Sequence, residues 1–111
     1  MVMTSFLERE GIEVINPFRD VEQNPEATTP RARIYHIMQT EMKIIPTMDA
    51  LVVIETDSIT RGVHMEAFLA YEKGLPVIVL WLASDRRFSW YEAFATICYD
   101  SNEILAALRA L

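Results

Sequence analysis

The residues able to do chemistry gather in one short stretch of this chain. Asp57, Ser58, Thr60, Gly62 and Glu66 fall within ten residues, with Thr56 just ahead. Hydroxyls and a glycine at the start of a helix suit an anion. The first helical N–H groups are unpaired, and glycine lets a ligand approach the backbone. Glu66 is expected in the first helical turn, where the macrodipole favours its ionised form. An ionised carboxylate beside a sugar can act as a nucleophile. The competing reading is a surface glutamate among ordinary loop hydroxyls. Arg19, Arg86 and Arg87 follow expected strands on the ligand side, where they can pair with a phosphate or stand as solvated surface charges.

A strand, a loop and a helix must position these groups. Leu51-Val52-Val53-Ile54 contains three β-branched residues and reads as a strand buried on both faces. Glu55 to Arg61 reads as a loop. Gly62 opens a helix from about Val63 to Lys73, which Gly74 stops, with Pro76 two residues on. Val77 to Trp81 is a second fully buried strand. Upstream, Phe6 to Glu10 ends a helix capped by Gly11, and Ile12 to Ile15 reads as a short strand. Residues 17–29 form a polar loop, and Thr28 or Thr29 caps the helix that begins with Pro30 in its first turn. Ile34, Ile37, Met38, Met42 and Ile45 fall on one helical stripe, which Pro46 interrupts with a short turn beyond it. Downstream, Trp90 to Phe94 suggests a short helix and Thr96 to Tyr99 a last strand. Asp100 or Ser101 caps a final helix carrying Ile104, Leu105 and Leu108. Strands alternating with helices predict an α/β sandwich around a mainly parallel sheet. Ligands of such sheets sit outside the carboxyl ends of the strands, which selects the loops after Ile15, Ile54 and Trp81.

The 111 residues, 51% hydrophobic and 23% charged, are enough for one domain, 1–111, with a packed core. The net charge of −6 is split evenly between the two halves, and the largest basic cluster is Arg86-Arg87. Nucleic acid needs a positive footprint and is not an expected partner, whereas a small anionic metabolite is. The longest apolar run, Leu75 to Ala83, has nine residues. A membrane helix needs about 20, so no membrane association is expected. No signal peptide precedes Glu8-Arg9-Glu10, and the lone Cys98 fits a reducing, cytoplasmic setting. His64 stands two residues before Glu66, so it points elsewhere on the helix, and His36 has no partner. No metal and no organic cofactor is expected. Trp81, Trp90 and Tyr91 are able to stack on a base, or to pack in the core or an interface.

The segment from Asp49 to Trp81 resembles the nucleoside 2-deoxyribosyltransferase superfamily. The resemblance rests on Asp49 before an apolar strand and on Gly62-Val-His-Met-Glu66. It also rests on Ala67 and Ala70 in the helix, and on Gly74-Leu-Pro-Val77 leading into the next strand. Gly11-Ile-Glu-Val-Ile-Asn-Pro17 resembles the family's second strand, so the similarity covers roughly residues 6–82. It implies a three-layer flavodoxin-like or Rossmann-like sandwich with a short, mainly parallel sheet of about four strands. It also implies that Glu66 is the nucleophile that attacks C1′ of deoxyribose and expels the base. Thr60 stands where the transferases often carry an aspartate. The related 2′-deoxynucleoside 5′-monophosphate N-glycosidases have a phosphate-contacting serine there, so Thr60 is closer to that branch. Asp57 is a candidate for the missing acid, and Asp49 for either a substrate contact or a helix–strand boundary. The family begins with a strand and a glycine- or alanine-rich loop, whereas this chain begins inside what would be the first helix. That strand would lie between the Ile12–Ile15 and Leu51–Ile54 strands. Because a gap leaves buried backbone groups unpaired, those two strands are expected to pair directly, or another segment to fill the space.

The expected function is thus cleavage or transfer of the N-glycosidic bond of a 2′-deoxynucleoside or its 5′-monophosphate. Glu66 and Asp57 are the candidate catalytic residues, and Ser58, Thr60, Gly62, Arg19 and Asp49 the candidate substrate contacts. Two other readings stay open: a non-catalytic nucleotide-binding or regulatory module, and a structural oligomerisation domain. The Val63–Lys73 helix is apolar nearly all round. One face suits the sheet and the other a second subunit, giving a homodimer or higher homo-oligomer.

Overall fold

A computed structural model of the chain describes residues 2–16, 28–57, 61–84 and 90–111, with no description of the side chains of residues 2 and 61–63. The chain forms two compact units, Met1–Ile44 and Ile45–Leu111.

The second unit holds the sheet. Strands β1 (Leu51–Glu55), β2 (Val77–Trp81) and β3 (Thr96–Cys98) lie side by side in that order, all parallel. The register pairs Leu51 with Val77, Val53 with Val79 and Glu55 with Trp81. Register partners project from the same face of a sheet, and alternate residues share that face. Leu51, Val53, Val77, Val79 and Trp81 therefore join one core with Ala67, Ala70, Ile45 and Tyr91. The helix of residues Arg61–Glu72 packs on this side, against β1 and β2. On the other side Ile78, Leu80 and Cys98 are buried, and the last helix, Ser101–Arg109, packs on β2 and β3 through Ile104 and Leu105. Helix, parallel sheet and helix make a three-layer α/β sandwich of the Rossmann-like kind.

Local chemistry sets the element ends. Gly74 has a φ of +78°, and the Gly74 and Leu75 N–H groups return to the Tyr71 and Ala70 carbonyls, closing the Arg61–Glu72 helix. Asp100 accepts from the Glu103 N–H at 2.9 Å while Glu103 accepts from the Tyr99 N–H at 2.6 Å, a reciprocal cap on the last helix. Trp90–Ala93 is a 3-10 turn that buries Tyr91.

In the first unit, helix α1 (Val2–Arg9) ends at Gly11, whose φ is +84°. Helix α2 (Pro30–Ile44) begins at Thr29, whose hydroxyl accepts from the Ala32 N–H. A 3-10 turn, Ile45–Thr47, follows Ile44 at Pro46. The remaining helices are α3 (Arg61–Glu72) and α4 (Ser101–Arg109).

Four expectations change. Residues 12–15 are not a strand, despite three β-branched side chains. Strand propensity depends on packing against neighbours, and no described strand pairs with this segment. Of the two arrangements expected beside β1, direct pairing of two strands therefore falls away, because residues 12–15 are no strand. The described sheet thus has three strands, and β1 takes only β2 as a strand partner. β1 is accordingly half-buried except at Val53, while β2 is buried at four of its five positions. The α2 stripe is also less buried than its periodicity suggests, with no buried residue in the helix.

Candidate active site

The α3 face of the sheet turns polar at the carboxyl ends of β1 and β2. Alternation along β1 puts Glu55 on the same face as Leu51 and Val53. At this end the apolar series stops and a carboxylate takes its place. The Glu55 carbonyl accepts from the Leu82 N–H at 2.8 Å, which extends the parallel pairing one step past the strands.

His64, in the first turns of α3, reaches back to this carboxylate. Its Nε2 lies 3.9 Å from Glu55 Oε2, with the imidazole side chain 51% exposed and the glutamate side chain 18% exposed. The imidazole also stacks on Tyr91, with ring centroids 5.3 Å apart and planes 23° from parallel. Tyr91 comes from the 3-10 turn and is only 1% exposed. Burial pushes its phenol well above the ordinary tyrosine range. The Glu55 charge raises it further, and the Glu66 charge adds a smaller push. Glu55 from β1 and His64 and Glu66 from α3 thus all act on Tyr91 of the 3-10 turn, and His64 also faces Glu55. Phe94 meets Tyr91 edge-on at 6.1 Å and Tyr71 at 4.9 Å, which fixes the turn against α3. Trp81 shares the Glu55 face by register, and its buried Nε1 has no hydrogen-bond partner among the described residues.

Asp57 belongs to this end of the sheet in another way. Its Oδ1 accepts from the Ser84 N–H at 2.8 Å and from the Ser84 hydroxyl at 3.0 Å. The segment after β1 is thereby clasped to the segment after β2. Such a carboxylate oxygen has a structural duty before any catalytic one.

Glu66 is half-buried and is the sixth residue of α3. The helix opens at Arg61 rather than near Val63, so Glu66 stands in the second turn, not the first. The macrodipole effect expected to hold its charge falls off within the first turn. Gly62 is the second residue of α3. Asp49 is exposed and precedes Leu51, at the end of β1 opposite to Glu55. The structure does not bring it to the carboxyl end, and its position fits the helix–strand boundary reading. Ser58, Thr60, Arg19, Arg86 and Arg87 lie outside the described residues.

Three members of the cluster, Glu55, His64 and Tyr91, are not among the catalytic and substrate-contact candidates of the sequence. Glu55 reads as the first loop residue, although the period of two through Leu51 and Val53 already assigns it to their face. His64 reads as pointing away from Glu66, yet both act on the same tyrosine, which lies across α3. Tyr91 arrives from a segment distant in sequence, and nothing local announces its place.

No family model and no curated protein matches the chain. Among solved structures, its fold is similar to that of the Clostridium botulinum CMP N-glycosidase BcmB. The superposition has a TM-score of 0.60 at 18% identity and covers 97% of this chain and 87% of that one. The two chains share a fold. At this identity the likeness speaks for the fold alone. Among the described residues, no group of three His, Cys, Asp or Glu is placed to hold a metal ion. No described helix is long and apolar enough to cross a membrane.

Proposed function

We propose that this chain cleaves or transfers the N-glycosidic bond of a nucleoside or nucleoside 5′-monophosphate, with Glu66 as the nucleophile. The observation that carries the reading is the place of Glu66. It lies half-buried on the helix after β1, two residues from His64, which faces Glu55 and stacks on Tyr91. This is the end of a parallel sheet where ligands bind. The shared fold with a protein named as a CMP N-glycosidase supports it. The resemblance around Gly62 and Glu66 favours a deoxyribose, whereas the fold neighbour is named for a ribonucleotide, so both sugars belong in the test.

In this reading the Glu66 carboxylate attacks C1′ as the bond to the base breaks, giving a glycosyl ester that water or a second base resolves. Ser58, Thr60, Gly62 and Arg19 hold sugar or phosphate. Asp57 keeps the two loops together through Ser84. The test is base release, followed by chromatography, from a panel of nucleosides and 5′-monophosphates of both sugars. Release by the wild type and loss in Glu66→Ala supports the proposal. No release by the wild type, or equal release by the variant, refutes it.

The Asp57–Ser84 clasp favours a second reading. With one oxygen of the expected acid engaged, the domain binds nucleotides without turnover. That reading expects nucleotides to raise the melting temperature with no base released.

We also propose that α3 pairs with a second copy of the chain. Ala67 and Ala70 face the core, while Met65, Phe68 and Tyr71 remain exposed at a spacing of three. Phe68→Glu should lower the sedimentation mass of the wild-type oligomer. A wild-type monomer at all concentrations contradicts this proposal.

A further inference from the structure

We propose that His64 is the proton-transfer residue of this site. It protonates the departing base as Glu66 attacks the sugar, then takes a proton from the water that frees the sugar. This assignment rests on the Glu66 reading above.

A group with this task needs three things: access to substrate, an orienting partner, and an atom that can both give and take a proton. Among the described residues at the carboxyl end, only His64 combines them. Half of its side chain is exposed, and Nε2 lies 3.9 Å from a Glu55 carboxylate oxygen. The face of its ring rests on buried Tyr91, so the imidazole is held from two directions. Of the charged and titratable groups, Glu55 from β1 faces it, Tyr91 from the 3-10 turn stacks on it, and Glu66 of its own helix acts on the same tyrosine.

The neighbours are poor substitutes. Tyr91 is buried and holds its proton too tightly to give it up near neutrality. Asp57 has Oδ1 occupied by Ser84. Glu55 is largely covered and turned toward His64 and Tyr91, as an orienting carboxylate is. A carboxylate, an imidazole and the open side of the site stand in sequence, with the carboxylate in ion-pair range of a protonated imidazole.

The steps balance. In the first, the bond between C1′ and a Glu66 oxygen forms while the bond from C1′ to the base nitrogen breaks. The electron pair leaves with the base, which takes the His64 proton. In the second, a water oxygen bonds to C1′, its proton passes to His64, and the Glu66 carboxylate departs. The sum is addition of water across the N-glycosidic bond, with both residues restored.

The test compares wild type, His64→Gln, Glu55→Gln and Glu66→Ala on two kinds of substrate. One is the nucleoside or nucleotide with the fastest base release. The other is the 4-nitrophenyl glycoside of the same sugar, whose leaving group departs without a proton. The expected result for His64→Gln is a loss of about 10²–10⁴-fold on the natural substrate. Its first-turnover burst of nitrophenolate stays at the wild-type rate and its later turnover slows. Glu55→Gln shows the same selectivity with a smaller loss. Equal losses on both substrates, or a His64→Gln variant as fast as wild type, overturn the assignment while leaving Glu66 in place. If wild type releases neither base nor nitrophenolate, the Glu66 reading fails and this assignment fails with it. Melting curves of each variant separate loss of fold from loss of chemistry.

Discussion

Helices α2 and α3 carry similar apolar patterns and meet different fates. The stripe of α2 runs through Ile34, Ile37, Met38, Met42 and Ile45; only Ile45, just past the helix, is buried, and Ile34 is 66% exposed. On α3, Ala67 and Ala70 are 0% exposed beneath a helix whose larger side chains, Met65, Phe68 and Tyr71, point outward. The difference lies in what each helix meets. α3 rests its two alanines on a sheet face built from Val53, Val77 and Val79. Small side chains allow close approach, and the close approach makes a core. A periodic pattern therefore names the face that seeks a partner, and the partner decides whether burial follows.

Substitutions on the two helices sharpen this contrast. The largest effect is expected from Ala70→Leu, which forces a larger side chain between α3 and the sheet. It should cost about 1–3 kcal/mol in urea unfolding. A neutral result would mean that α3 is not closely packed there.

The next effect concerns the tyrosine beneath α3. Tyr91 and Cys98 both hold their protons more tightly in the folded chain, chiefly because burial disfavours their charged forms. Such stability is present below the unfolded values, near 10.0 for the tyrosine and 9.0 for the cysteine. It declines as pH rises past them, because the unfolded chain loses protons first. The slope approaches roughly 1.4 kcal/mol per pH unit for each group. Tyr91→Phe should flatten the decline above pH 10, read from melts across an alkaline series, with the Cys98 contribution left in place. An unaltered alkaline profile contradicts the buried placement of this phenol.

The smallest effect is expected on α2. Ile34→Ser should change stability by less than about 0.5 kcal/mol, as an exposed position does. A large loss would show that α2 buries this face in solution.

The same contrast explains what was legible in the sequence. Turn and cap chemistry is local, so Gly11, Gly74, Thr29 and Asp100 mark their element ends as expected. The apolar runs at Leu51 and Val77 give the parallel strands, and the alternation of strand and helix gives the layers. The Ile12–Ile15 run failed because a strand needs a neighbour, and its composition cannot supply one. The sequence directs attention to the loop and helix after β1 in the same sense. Glu66 and Asp57 fall after a buried strand, where the sheet rule directs attention. The clasp from Asp57 to Ser84 joins residues from separate loops, and the stacking of His64 on Tyr91 joins α3 to a distant turn. Both depend on the sheet that brings β1 and β2 together, so neither shows in a local pattern.

The central claim is that the carboxyl end of this sheet breaks an N-glycosidic bond through Glu66. The most direct measurement is base release from nucleoside 5′-monophosphates of ribose and deoxyribose by wild type and Glu66→Ala, each shown folded by its melting curve. The account predicts free base from wild type with at least one of these substrates and none above background from the variant. Equal release by the two proteins, or none from wild type with any substrate, would contradict it.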